Sequence, residues 1–357
     1  MIGTRPTELT LTLAPQRRFE AIDVNRRIAA EHGDLLRRHR RALYTSFHTT
    51  AGYLDQSLSV RLNHQQDLVS QFFRAFHALF PQGGEYRHDQ MELRSELTDE
   101  QKIVEPRNGD SHLTFIGAGM RNCVTYRTRP DAPVYFIELD GKSEALCRQR
   151  RTTVVAYDHD EVVARTSVRI PVSKHPIDSI NLADPKLGLL ERINEIVARA
   201  GIERARVDLV VDPTERNVGL TVNEYETLLM QHDLAEVLRN PVRFAAEKAR
   251  HAWDDPRAVP AKAIGYAKYD LVRALNRVVD VFGLQASRLE QIVARAIGVP
   301  ASRFLRTHRA IDLMISDRAT PGHGAVVQGT YQAPILVQWR PAAGAAREVD
   351  VTISRFL

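Results

Sequence analysis

The sequence predicts an α+β protein in which one arrangement of elements occurs twice. Two observations predict it. Period-two strand patterns and 3.6-period helix patterns alternate along the chain, and their order in the second half repeats that of the first. Residues 7–13 (TELTLTL) alternate polar and apolar, as a half-buried strand does. Residues 19–32, with Ile22, Ile28 and Ala29 among the apolar positions, read as a helix. Residues 42–52 (ALYTSFHTTAG) read as a strand running into a turn of small residues. Leu68, Phe72, Phe76 and Leu79 recur at helical spacing, and Pro81 with Gly83 and Gly84 ends that helix. Strands are predicted at 112–119 (HLTFIGAG), 133–139, 150–157 and 161–168.

Pro171, Pro176, Asp178 and Asp184 then break all periodicity, which divides the chain into copies at 1–170 and 171–357. Asp184 as N-cap and Pro185 in the first turn open a helix. Its buried stripe is Leu187, Leu190, Ile193 and Val197, and Gly201 closes it. RARVDLVVD (204–212) and VGLTVNE (218–224) read as strands. Residues 226–300 are helix-rich and read as an insertion in the second copy, with a capping box at Ser287 and Glu290 and Gly298 as the stop. GAVVQGT, APILVQW and REVDVTIS return to strand.

Composition bounds the function. A hydrophobic fraction of 43% and a charged fraction of 26% are those of a globular chain, and 357 residues are enough for two cores. No apolar run of about 18 residues exists to span a membrane, and the N-terminus lacks the layout of a signal peptide. Two cysteines, Cys123 and Cys147, show no pairing motif and read as inert thiols of a reduced, cytoplasmic protein. The net charge is +5, with arginine clusters at Arg37–Arg38, Arg40–Arg41 and Arg148, Arg150 and Arg151. Such forks suit phosphate or carboxylate, and equally a solvated basic face.

Three histidines stand among polar, motif-like residues: His48 in FHTTAG, His88 in YRHD and His112 in DSHLTF. Three neutral imidazoles converging on one point would hold zinc, iron or manganese and leave positions open for water or substrate. Against this, thirteen histidines are scattered along the chain, and most histidines are satisfied surface or core residues. His64 and His77 read as structural, and His323 as a loop residue.

SFHTTAGYL, EYRHD, SHLTFIGAG and VYFIELDGKSEALCRQRRTTVV resemble the YjbQ family, and the preceding EAIDVNRRIAAEHGDLL resembles its leading strand-helix element, over about residues 18–157 in all. LLERINEIVARAGIERARVDLVVDPTERNVGLTVNEYETLL is similar to the first half of the same family, and GAVVQGTYQAPILVQWRPAAGAAREVDVTI to its last strands. That family is often labelled a secondary thiamine-phosphate synthase. The resemblance implies two YjbQ-like repeats, each a mostly antiparallel sheet packed by helices. It also implies a metal or catalytic role for His48, His88 and His112.

The departures are complementary. The Asn-Glu of the family stands at Asn223–Glu224, whereas the first repeat has Gln56–Ser57. Gly-Thr-aromatic-Gln appears only at 329–332, and Glu-x-Asp-Gly only at 138–141. Each copy keeps what the other lacks, which suggests one composite site and places Asn223 and Glu224 beside His48.

The expected function is that of a metal-dependent enzyme acting on a small polar or anionic metabolite. In it a divalent ion polarises an oxygen or activates water, and Glu224, Glu138 or Asn223 serves catalysis. Arg87, Arg150, Arg151, Tyr53 and Gln332 line the substrate, with Asp55 beside Tyr53. Bland readings stand beside these roles: Glu138 as a strand-end carboxylate paired with an arginine, and Asn223 as a turn residue satisfying its own backbone. A non-catalytic binding or scaffold protein is the alternative. A weaker one is nucleic-acid binding through the basic helix pair at 284–306. Fusion of repeats replaces contacts of a symmetric oligomer and leaves homo-oligomerisation open.

Overall fold

The computed structural model describes residues 5–129, 132–142, 147–239, 243–244, 247–248 and 307–357, and the chain is α+β. The helices are α1 (Val24–His32), α2 (Gln56–Arg61), α3 (Gln66–Leu79), α4 (Asp99–Val104), α5 (Gly109–Gly117), α6 (Leu189–Arg199) and α7 (Leu234–Arg239). Two compact units form. One draws on residues up to 60, 120–225 and 307–357, the other on 61–119 and 226–306. The unit boundaries therefore cut across both halves of the chain, and the first unit holds the sheets of both repeats.

The first repeat supplies β1 (Thr7–Leu13), β2 (Glu20–Asp23), β3 (Arg41–Ser46), β4 (Ala51–Gly52), β5 (Cys123–Arg127), β6 (Tyr135–Glu138) and β7 (Arg150–Tyr157). The second supplies β8 (Asp160–Pro171), β9 (Asp178–Asn181), β10 (Ala205–Val211), β11 (Val218–Asn223), β12 (Ala310–Ser316), β13 (Ala325–Val327), β14 (Ala333–Gln338) and β15 (Ala346–Phe356). The larger sheets run β1-β7-β3-β5 and β8-β15-β10-β12, the latter with β13 added at its edge. The smaller ones run β2-β6-β4 and β9-β14-β11. One strand order serves both copies, and every ladder is antiparallel. The topology itself is duplicated.

Local chemistry explains the elements. In β10, Ala205, Val207, Leu209 and Val211 alternate inward and are almost fully buried. Each of the three larger aliphatics contributes about 1.5–3 kcal/mol by leaving water. Gly188 adopts φ 62° before α6, whose Leu189, Ile193 and Val197 form one buried stripe over the same core. The first repeat has its own core of Leu9, Leu11, Leu13, Ile28, Tyr44 and Phe136 with their neighbours. Leu43, Cys123, Val155, Tyr157, Met314 and Phe356 join the two cores.

Two expectations are corrected, and one strand is added. Residues 20–23 are strand β2, and the helix predicted from residue 19 begins only at Val24, where Asp23 Oδ1 accepts from the Arg26 N–H at 3.1 Å. HLTFIGAG is not a strand: residues 109–117 form α5, buried on every side. AIDLMIS (310–316), given no element by the sequence reading, is central strand β12.

In the second unit, Phe72, Phe73 and Phe76 of α3 are buried, and α3 meets α5. Of the helix-rich insertion, a π-helical turn at Leu228–Asp233 and α7 are described. The capping box at Ser287 and Glu290, Gly298 and the helix pair at 284–306 lie outside the described residues. Among the described residues no helix is long and apolar enough to cross a membrane.

Candidate functional site

His48 sits where the chain leaves β3 and before it enters β4. Ser46 ties this turn from within: its hydroxyl donates to the Ala51 carbonyl at 2.6 Å and accepts from the His48 N–H at 3.3 Å. The second repeat grips the turn from outside. Asn223, at the end of β11, donates from Nδ2 to the Thr49 carbonyl at 3.1 Å. Gln332 donates from Nε2 to the Ser46 and His48 carbonyls at 3.1 and 2.8 Å. Gly329 lies so close to the Phe47 carbonyl that a Cβ would overlap it. Residues unique to one copy thus hold the turn unique to the other.

Arg150, 5% exposed, opens β7 beneath this turn. Its Nε donates to Glu138 Oε2 at 2.5 Å and its Nη2 to Glu138 Oε1 at 2.8 Å, a bidentate pair. Nη2 also reaches Thr50 Oγ1 at 3.1 Å. Burial pushes the Glu138 carboxyl up, against the pull of Arg150. Asp140 takes Arg148 at 2.6 Å and Arg18 at 3.3 Å, and Gly141 is packed so that a Cβ would lie 2.7 Å from the Arg17 carbonyl. This is why the chain reads Glu-x-Asp-Gly here.

His48 Nε2 accepts from the Arg151 N–H at 2.9 Å, while Nδ1 lies 3.4 Å from Arg150 Nη1, itself a donor. Burial lowers the His48 pKa to about 3, helped by the charges of Arg150, Arg151 and Arg148. The ring is neutral throughout the physiological range. Arg151 is exposed and stacks over the Phe47 ring at 5.9 Å, and among the described residues no carboxylate pairs with it.

The second unit holds His88 and His112, both buried, with ring centroids 4.9 Å apart. His88 Nδ1 lies 3.1 Å from Glu226 Oε2, and Nε2 lies 3.2 Å from Asn108 Oδ1. The Arg87 and His88 N–H groups donate to Asp233 at 3.0 and 2.9 Å, and the Gly109 N–H donates to Asp89 at 2.9 Å. Burial pushes the Asp89 carboxyl up to about 6, although His88 opposes it, and raises Asp233 as well. Burial pushes Glu226 up too, but its bonds to His88, Leu228 and Leu229 outweigh this and hold it low.

The ring nitrogens of His48 and of His88 each have partners within their own unit. Both His48 nitrogens face N–H donors in a positive field, and both His88 nitrogens are engaged by Glu226 and Asn108. Among the described residues no group of three or more His, Cys, Asp or Glu side chains is arranged to hold a metal. His48 belongs to the first unit, His88 and His112 to the second.

The remaining predicted residues divide. Tyr53 is fully buried, bonded to Thr152 and packed against Tyr44 and Phe136, so it lines no mouth. Asp55 caps α2 through the Leu58 N–H at 2.9 Å. The amide of Gln332 is engaged by backbone, and Glu138 is paired with an arginine as its blander reading has it. Asn223 satisfies the neighbouring Glu224 N–H at 2.8 Å in addition to gripping Thr49. Glu224 is half-buried beside it, and Arg87 is exposed in the second unit with Nη1 on Gln90 at 3.1 Å. Sequence reasoning missed Thr50, Asn108, Asp140, Glu226 and Asp233. The Glu-x-Asp-Gly spacing pointed to Asp140; nothing local pointed to the others.

No family model and no curated protein matches the chain. Solved structures do. A YbjQ-like protein of unknown function from Sulfolobus solfataricus aligns with 55% of this chain and 99% of its own, at 14% identity and a TM-score of 0.29. A hypothetical protein from Aeropyrum pernix aligns with 55% of this chain and 98% of its own, at 14% identity and a TM-score of 0.26. An uncharacterised YjbQ-family protein from Clostridium acetobutylicum aligns with 54% of this chain and 99% of its own, at 12% identity and a TM-score of 0.26. Each of these structures is matched over nearly its whole length by about half of this chain.

Proposed function

We propose that the chain is an enzyme acting on a small anionic metabolite, whose anionic group is received at the His48 turn. The observation that carries this reading is an excess of donors. With Nε2 accepting from the Arg151 N–H, the ring proton sits on Nδ1 and points toward Arg150 Nη1, 3.4 Å away. Two donors then face each other in a positive field, a mismatch that an anionic group relieves by taking the ring's place and accepting from Arg150 Nη1 and the Arg151 N–H. The exposed Arg151 guanidinium adds a third donor. Glu138 and Asn223 hold Arg150 and the turn in place, and Glu224, next to Asn223, is assigned the role of general base.

Calorimetric titration with small phosphorylated and carboxylated metabolites tests this. Arg151→Ala is expected to weaken anion binding about tenfold or more, the scale of one charge-assisted hydrogen bond. Unchanged affinity in that variant overturns the assignment. Metal dependence is the second reading, favoured by the close His88 and His112 rings among buried carboxylates. It requires His88 to release Glu226 or Asn108, and elemental analysis of purified protein decides it.

A further inference from the structure

The sheet registers place Arg347 of the second repeat where Arg150 stands in the first. Ser46 pairs with Thr152 at the end of the β3–β7 ladder, and Val211 with Val349 at the end of the β10–β15 ladder. Each arginine lies two residues before that pair. Ala51 opposite Glu138 matches Val218 opposite Gln338 in the same way, and Glu138 and Gln338 each touch their arginine.

In the second repeat a carboxylate closes the socket so formed. Arg347 Nη1 donates to Glu215 Oε2 at 2.6 Å, and the Glu348 N–H donates to Glu215 Oε1 at 3.1 Å. In the first repeat the same two donors, Arg150 Nη1 and the Arg151 N–H, meet the two ring nitrogens of His48 at 3.4 and 2.9 Å. A carboxylate accepts from both donors, whereas a neutral imidazole accepts from one. His48 is therefore the weaker occupant of a place shaped for two acceptor oxygens.

The surrounding charges differ in the matching direction. The first socket has Arg150 and Arg151 against Glu138, and the second has Arg347 against Glu215 and Glu348. The second is saturated by its own side chains. The first keeps a positive charge, that of Arg151, without a carboxylate partner among the described residues, and its occupant is partly buried.

We propose that the socket of the first repeat binds the carboxylate group of a ligand, with the His48 ring as its displaceable occupant. This rests on the anionic reading above and specifies its chemical class.

Acetate is the probe. Glu215→Ala and His48→Ala each empty one socket of the full chain, and thermal midpoints are followed as sodium acetate replaces sodium chloride at constant ionic strength. Both variants are expected to gain several degrees, saturably, and the wild type less than either. A gain in Glu215→Ala alone, or in neither variant, overturns the proposal. Should His48→Ala fail to fold, His48→Glu takes its place. Its tethered carboxylate is expected to raise the midpoint above wild type, and a lower midpoint overturns the proposal. If His48→Ala is not rescued while wild type binds anions through Arg151, the carboxylate socket falls and the anionic reading stands. If rescue occurs while Arg151→Ala leaves affinity unchanged, the socket stands and the metabolite reading falls.

Discussion

Asp208 and Asp312 stand opposite each other on β10 and β12, with a hydrogen bond between their carboxyls. Burial, and then the charge of Asp208, pushes Asp312 up to about 7, while Arg121 and Arg206 oppose the rise. Arg206 is itself held by Asp208 at 2.7 Å and Asp160 at 3.6 Å, and Tyr157 and Cys123 complete the surroundings. A carboxyl raised in the folded state binds its proton more tightly than in the unfolded chain. Its contribution is complete below the ordinary value of 3.8 and is lost as pH rises through about 7. Wild type should therefore lose stability between about pH 6 and about pH 8, and Asp312→Asn should remove most of that loss. Urea midpoints at the two pH values check it, and an equal loss in both proteins contradicts it. The same scale separates His48 from Glu215: one backbone amide and one guanidinium face an imidazole in one copy and a carboxylate in the other.

Elements decide what those side chains meet. The His48 turn is short because β3 ends at Ser46 and β4 begins at Ala51, whereas the matching connection in the second repeat is longer and turns through Asn217 at φ 58°. The added length brings Glu215 to Arg347. Gly329 keeps the first turn in place because only hydrogen fits against the Phe47 carbonyl. Gly329→Ala should cost about 1–3 kcal/mol, as overpacking does, and should also weaken anion binding, because the turn carries His48. A variant with unchanged denaturation midpoint and unchanged affinity sets that account aside. Strands with one wet face, such as β1 and β10, were legible because polar and apolar residues alternate. α5 was not, because all nine of its residues are buried and a helix without a polar face shows no 3.6-residue period. β2 was hidden from periodicity because its four residues end on an N-cap that the helix pattern ran through, and only the family resemblance of EAIDVNRRIAAEHGDLL marked a strand before the helix.

Duplication at the scale of the molecule was legible from the order of elements, and the paired sheets repeat that order strand for strand. The complementary loss of motifs was legible too. Its physical content was not: Asn223, Gly329 and Gln332 grip the backbone of a turn, which no side-chain pattern announces. The grouping of residues 61–119 with 226–306 was equally hidden, since it depends on long-range packing such as that of Asp233 on the Arg87 and His88 amides. What the duplicated sheets build is one socket closed by Glu215 and one held by a neutral histidine in a positive field. Nitrogen NMR of His48 in the intact chain, with and without acetate, reaches that claim most directly. The prediction is a neutral ring carrying its proton on Nδ1, with a pKa far below 6.5 and near 3, and a rise when the anion binds. A ring that titrates near 6.5 and ignores the anion contradicts it.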